Sequence, residues 1–172
     1  MEYAIQDFIL SRKAKYCSSK TIEWYSYHLG RINTWLRENG VFTPEQISSK
    51  TIRSFLSYLG SKDYSSSYIH GYARILRTFT GFLYKEGYID REIVFDMPIL
   101  NQKIQRIYSK EEIMLILSAC ETKRDKAFIM FMVDSGVRLG EVLALNWEDI
   151  NIKNGVVRIN NGKGGKFRTV VV

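Results

Sequence analysis

Over its first 90 residues the chain repeatedly stops and restarts helices, and that punctuation leaves few folds open to it. Ile5, Phe8, Ile9 and Arg12 are spaced at three and four and predict a first amphipathic helix over 3–15. Ser18-Ser19 offers an N-cap for a longer helix from Lys20 to about Asn39, with Trp24 or Tyr25, Leu29, Ile32 and Leu36 inward and Gly40 as its stop. Thr43-Pro44-Glu45-Gln46 is a compact helix start: a cap, a proline at the first helical position, and Gln three after the cap. Ser49 is expected to cap a third helix carrying Ile52, Phe55, Leu56 and Leu59, ended by Gly60. Ser65-Ser66-Ser67 precedes a fourth, long one through Ile69, Ala73, Leu76, Phe79 or Thr80, and Leu83, closing at Gly87. Four helices with short connections predict a helical domain over 1–93, a size that can fold alone.

From Tyr88 to Tyr108 the periodicity fades, Pro98 breaks any helix, and 94–107 is expected to be an extended linker. A second domain over 108–172 opens with the capping box Ser109-Lys110-Glu111-Glu112, and a further helix is expected over Arg124–Val133. The run FMVDSGVRLGEVLALNWEDI at 131–150 then breaks at Ser135-Gly136 and resumes a helical pattern, with Val142, Leu143 and Leu145 on one face and Glu141 on the other. Arg138 sits at this turn, where two packed helices could hold a guanidinium rigidly. Two readings stand there: an ordinary helix-start ion pair with Glu141, or a charge placed for chemistry, since arginine is rarely buried unpaired. After Asn151 the pattern changes to strands. Val156–Ile159 and Thr169–Val172 flank the turn NNGKGGKFR, a β-hairpin with Lys163 near its tip. The sequence ends inside that second strand, and because a lone hairpin is marginal in water it looks cut short.

Composition narrows the function. With 45% hydrophobic and 13% aromatic residues, the 172-residue chain can build a core. No apolar run is long enough to span a membrane, and the N-terminus lacks a signal-peptide core. Cys17 and Cys120 stand alone without metal-ligand spacing, which suits a reduced, cytoplasmic protein. The net charge of +7 suggests a polyanionic partner. Residues 1–93 carry 13 Lys/Arg against 9 Asp/Glu and residues 94–172 carry 12 against 9, so both halves are moderately basic.

Three features taken together resemble the tyrosine recombinase (phage integrase, Xer-like) family. Ser135-Gly136-Val137-Arg138-Leu139-Gly140-Glu141-Val142 is similar to its T-G-x-R-x-x-E-L box, and Leu145-Asn146-Trp147-Glu148-Asp149-Ile150 to the L-x-W-x-D-I continuation. Gly162-Lys163-Gly164-Gly165-Lys166-Phe167-Arg168 is similar to its G-K-G-x-K-x-R turn. Each motif is weak alone; the order, the spacing and the helical domain ahead of them make the match. The resemblance implies a mainly α chain: a four-helix SAM-like core-binding domain, then part of an α+β catalytic domain with three helices and a β-hairpin.

It also implies roles. Arg138 would hold the non-bridging oxygens of a scissile DNA phosphate, for which a planar fork of donors is suited. Lys163 would protonate the leaving 5′ oxygen, and Glu141 would orient groups around Arg138. Without the Arg138 context Lys163 reads as a solvated turn lysine. The helices over 20–39 and 65–87 would face double-stranded DNA at a core recombination site. The candidate contacts are Lys20, Thr21, Lys62, Tyr68, His70, Arg74 and Arg77, joined by Lys166 and Arg168 of the hairpin. Trp24, Tyr25 and Trp35 are assigned to the core. No cofactor or metal is implied; other recombinase protomers are further partners, and the setting is cytoplasmic, with the nucleoid when DNA is bound.

The departures matter as much. Ser135 replaces the usual threonine, Asn160-Asn161 adds a residue before the hairpin tip, and Gly71 and Tyr72 stand where the family often has two basic residues. All 11 tyrosines lie at or before Tyr108, and both histidines, His28 and His70, lie in the helical domain. Nothing after Arg138 supplies the family's tyrosine nucleophile or its His-x-x-Arg box, so the chain is expected to bind DNA without cleaving it. The rival readings are a stand-alone, non-catalytic DNA-binding protein and a helical protein-interaction module.

Overall fold

The structure is a computed structural model that describes residues 1–101, 105–160 and 167–172. It divides into two compact units, Met1–Lys103 and Ile104–Val172.

The first unit holds α1 (Glu2–Ala14), α2 (Ser19–Glu38), a 3-10 turn at Pro44–Gln46, α3 (Ser49–Gly60) and α4 (Ser66–Lys85). Serine side chains start three of the helices by accepting an otherwise unpaired backbone N–H: Ser18 from Thr21 at 3.2 Å, Ser48 from Thr51 at 3.1 Å, and Ser65 from Tyr68 at 3.3 Å. The cap of α3 is thus Ser48 rather than the expected Ser49. At the 3-10 turn the Gln46 side chain accepts from the backbone N–H groups of Phe42 and Thr43, as the motif predicts.

α4 is the central helix. It buries Tyr72, Ala73, Ile75, Leu76, Phe79, Thr80, Phe82 and Leu83, more than a single stripe, because α1, α2 and α3 all pack against it. Phe8 of α1 sits in the middle of this core. Its ring meets Tyr25, Phe79 and Phe82 edge-on, with centroids 5.1, 5.4 and 5.3 Å away. Edge-to-face packing adds to the area term, which is about 1.5–3 kcal/mol for a fully buried side chain of this class.

Residues 94–101, part of the expected extended linker, carry no helix or strand and pack onto this unit. Phe95 is buried and Met97 packs against the same core. The Ser49 hydroxyl donates to the Val94 carbonyl at 2.9 Å, and the Arg77 guanidinium reaches the Phe95 carbonyl at 3.4 Å. Two apolar side chains at 95 and 97 with helix-borne donors beside them hold an irregular segment without any helical periodicity.

The second unit holds α5 (Lys110–Ser118), α6 (Lys123–Ser135), α7 (Leu139–Val142), a 3-10 turn at Trp147–Asp149, and three short strands. These are β1 (Ile150–Asn151), β2 (Val156–Ile159) and β3 (Arg168–Val171), antiparallel in the order β1-β2-β3. β1 is the third strand the sequence reading did not foresee. Val157 pairs with Val170 and Ile159 with Arg168. The buried core here is small: Val137, Val157 and Ile159, with Phe131, Val142, Leu145, Ile150 and Val170 around them.

The helix expected after the Ser135-Gly136 break is a single turn; Val142 and Leu145 face the core as expected, but Leu143 is turned out and Glu141 is turned in. Glu141 is only 5% exposed while Leu143 is 73% exposed. The buried side of α7 therefore carries a carboxylate, which demands partners.

Candidate functional site

α6 ends where Gly136 adopts a left-handed backbone (φ 60°) and its N–H bonds the Met132 carbonyl at 3.1 Å. Val137 is buried directly after, so the chain is pinned as it leaves the turn. Arg138 then takes the N-cap position of α7, and its backbone N–H donates to Glu141 Oε2 at 3.0 Å. Its side chain is 64% exposed, which corrects the expectation of a guanidinium held between two packed helices. The cation faces solvent, and its base is fixed.

Glu141 is what fixes it. Arg138 donates a second bond to it, from a terminal nitrogen to Oε1 at 3.1 Å. Arg168, first residue of β3, donates to Oε1 at 3.0 Å and to Oε2 at 2.7 Å. Each oxygen of the carboxylate thus receives one bond from each arginine, a compensation that makes its burial tolerable. The Arg168 bonds first, and the Arg138 backbone N–H next, hold the Glu141 carboxyl down to about 2. Glu141 in turn raises Arg168. Two guanidinium groups and one carboxylate leave a net single positive charge, carried outward by Arg138. Such a group can grip a phosphate oxygen with its remaining donors.

Arg138 thus makes the helix-start ion pair with Glu141 while its side chain stays 64% exposed. Arg168, expected to contact DNA, turns both terminal nitrogens inward. Lys163 and Lys166 lie outside the described residues. The strands that lead to them do not: β2 ends at Ile159 and β3 begins at Arg168, paired across the sheet, so that connection leaves and returns beside the Glu141 clamp.

In the first unit, Lys20 is exposed in the first turn of α2, where backbone N–H groups favour an anion. The Thr21 hydroxyl is engaged with the Ser18 cap at 2.8 Å. Lys62 is exposed just beyond α3, its ammonium 5.6 Å from the Tyr58 ring. His70, Arg74 and Arg77 share the outer face of α4 by their spacing. Arg74 is open to solvent, His70 is half-buried, and Arg77 lies 5.8 Å from the Phe95 ring, occupied with the 94–101 segment.

Tyr68 points away from that face, toward α2, and discloses a cluster the sequence reading missed. Its hydroxyl accepts from Arg31 at 2.8 Å, and the Tyr64 hydroxyl accepts from the same guanidinium at 3.4 Å. The Tyr27 ring lies 6.0 Å from that guanidinium, and Tyr68 Oη lies 3.4 Å from Tyr72 Oη. His28 sits among the rings of Trp24, Tyr27, Tyr68 and Tyr72. Its Nδ1 is buried with no partner among the described residues. Burial, and then the Arg31 charge, lower its pKa, so it sits there neutral near physiological pH. A signal existed: Trp24, Tyr27 and Arg31 recur at helical spacing on the side of α2 opposite to Leu29, Ile32 and Leu36. Trp24, assigned to the core, lies at the surface end of this cluster.

Comparison with known proteins covers both units. Residues 106–172 match the family described as Phage integrase family, and residues 6–87 match the Phage integrase, N-terminal SAM-like domain. Tyrosine recombinase XerC of Thermodesulfovibrio yellowstonii is 33% identical over 138 residues, covering 75% of this chain and 45% of that protein. Tyrosine recombinase XerD of Vibrio vulnificus is 28% identical over 160 residues, covering 89% of this chain and 52% of that one. The chain thus spans about half the length of the curated relatives it matches. Among solved structures, a lambda integrase dimer bound to a COC′ core site aligns with a TM-score of 0.78 at 19% identity, over 99% of this chain and 59% of that one. The Tn1549 transposon integrase with circular intermediate DNA aligns with a TM-score of 0.74 at 14% identity, over 98% and 60%. At such identities these likenesses speak to the fold.

Proposed function

This chain belongs to the phage integrase family, and from that premise we propose that its 172 residues grip duplex DNA at a recombination core site without breaking it. In this reading residues 1–93 are the core-binding part and residues 108–172 are part of the catalytic region. The longer relatives' reaction would be strand breakage and rejoining through a 3′-phosphotyrosine, with no cofactor.

The observation that carries the reading is the exposed Arg138 guanidinium, anchored by its own backbone N–H and side chain to the buried Glu141. By motif position Arg138 takes the non-bridging oxygens of the phosphate, where a forked donor matches two oxygens. Lys163, by motif position in the hairpin, is the acid for the leaving oxygen. Lys20 and Arg74, exposed on α2 and α4, neutralise flanking phosphates, and such contacts place the protein without reading sequence. No tyrosine follows Tyr108 and no histidine follows His70 in these residues, so nothing after Arg138 supplies the attacking oxygen. The lambda integrase dimer on its core site supports DNA and further protomers as partners.

Titrating labelled duplex at several salt concentrations tests this. Affinity should fall steeply as salt rises, and Arg138→Ala should flatten the log–log slope by about one phosphate's worth, roughly 0.9. An affinity indifferent to salt, or a slope that Arg138→Ala leaves unchanged, overturns it.

A further inference from the structure

Glu141 carries one negative charge and faces two arginines, only one of which points outward. If Arg138 were its sole partner, the pair would be neutral, and a phosphate would compete with a buried carboxylate for the same guanidinium. Arg168 changes that balance. It meets Glu141 with two parallel bonds at 3.0 and 2.7 Å, the tightest contact the carboxylate makes, and leaves a whole positive charge on Arg138. The two arginines are 30 residues apart in sequence and on different elements, and the carboxylate is their only link among the described contacts.

We infer that Arg168 is a positioning residue for phosphate binding, acting only through Glu141, which it neutralises and orients so that Arg138 presents its fork to DNA. The inference rests on the reading of Arg138 as a phosphate ligand, and it replaces the expectation that Arg168 contacts DNA itself. Geometry supports the replacement: both terminal nitrogens of Arg168 are committed inward and its side chain is 37% exposed, against 64% for Arg138. The same contact ties the first residue of β3 to α7. The connection between Ile159 and Arg168 therefore returns to the sheet at a point held by the Arg138 site.

A double-mutant cycle on the whole chain separates positioning from direct contact. Duplex affinity and salt slope are measured for wild type, Arg138→Ala, Arg168→Ala and the double variant. Arg168→Ala should weaken binding about tenfold, as expected for losing one charged hydrogen-bonded contact. The double variant should bind no worse than Arg138→Ala alone, with the same slope. Combining Arg168→Ala with Glu141→Gln removes the competing charge and should recover most of the lost affinity, which repair of packing alone would not do. Should Arg168→Ala fail to fold by circular dichroism, Arg168→Lys keeps a single bond to Glu141, and its smaller loss must likewise vanish in the Arg138→Ala background. Additive losses, with the slope dropping by a further roughly 0.9 in the double variant, make Arg168 a phosphate ligand and overturn the inference. A wild type that does not bind duplex, or an Arg138→Ala variant that binds equally well, overturns the underlying reading and the inference with it.

Discussion

The Arg31 guanidinium of α2 donates to the Tyr68 hydroxyl of α4 at 2.8 Å, with the Tyr64 hydroxyl as a second acceptor at 3.4 Å. An exposed cation is thereby pre-ordered between two helices, so less conformational entropy is lost when it meets an anion. If the α2–α4 face lies on DNA, Arg31→Ala should weaken duplex binding by about tenfold, the scale of one charged hydrogen-bonded contact. Tyr68→Phe, which removes only the hydroxyl, should weaken it by a smaller factor while leaving the salt slope unchanged. Fluorescence anisotropy on both variants checks this; an unchanged affinity for Arg31→Ala puts the face elsewhere.

The core makes a sharper demand. Phe79 is fully buried on the central helix, edge-on to Phe8. Phe79→Ala should cost the first unit about 3–5 kcal/mol, since the side chains packed around α4 close the cavity only partly. Urea unfolding followed by circular dichroism gives the number. A cost under about 1 kcal/mol would contradict the packing described, being below the range for such a deletion.

How much of this was legible beforehand differs between the two units. In the first, helix starts and stops are local chemistry: a serine that accepts an N–H three residues on, or a glycine past the last turn, can be read without knowing the fold. Even there Ser48, not Ser49, is the cap of α3, because both serines are competent caps and only the backbone decides between them. Trp24 is expected inside because aromatic residues carry a strong burial prior, whereas its ring packs against Tyr25 and His28 of its own helix and stays 38% exposed. In the second unit the failure was larger and had one cause. Glu141 looks like the polar face of a helix until its partner is known, and Arg168 lies 27 residues away, brought near only by the β2–β3 pairing. Burial of a charge is a tertiary fact, invisible to periodicity. The motif containing Arg138 was readable as a match, whereas its geometry was not.

Gly155 tests the sheet. Its backbone is left-handed (φ 66°), and a methyl group there would sit 2.5 Å from the Val172 carbonyl oxygen. Gly155 also accepts the Val172 N–H at 3.0 Å. Gly155→Ala therefore meets both conformational strain of about 1–2 kcal/mol and a backbone clash. It should lower the melting temperature of the second unit while leaving the first unit's unchanged, as tryptophan fluorescence of Trp147 can follow separately when Trp24 and Trp35 are replaced by Phe. Equal melting with and without the substitution would remove β2–β3 as the scaffold of the Arg168 contact.

Acid should release the Glu141 clamp in a defined window. Its carboxyl is held at about 2 when folded, below its ordinary value of 4.5, chiefly by Arg168. A depressed carboxyl contributes stability that is complete above pH 4.5 and fades as pH falls from there toward 2. The stability gap between wild type and Glu141→Gln should thus be constant above pH 5 and shrink below about 4.5. A gap that holds steady down to pH 2 would mean the carboxylate is not the partner described.

In the proposed function these 172 residues hold phosphate through Arg138 and, with no tyrosine after Tyr108, do not break the DNA. One gel tests both halves: the chain incubated with a nicked suicide duplex bearing a core site, run native and then denaturing. The native lane should show a shifted band that fades with rising salt, and the denaturing lane no protein–DNA adduct. A covalent band would show that these 172 residues carry a nucleophile after all, and the absence of any salt-sensitive shift would remove DNA as the partner.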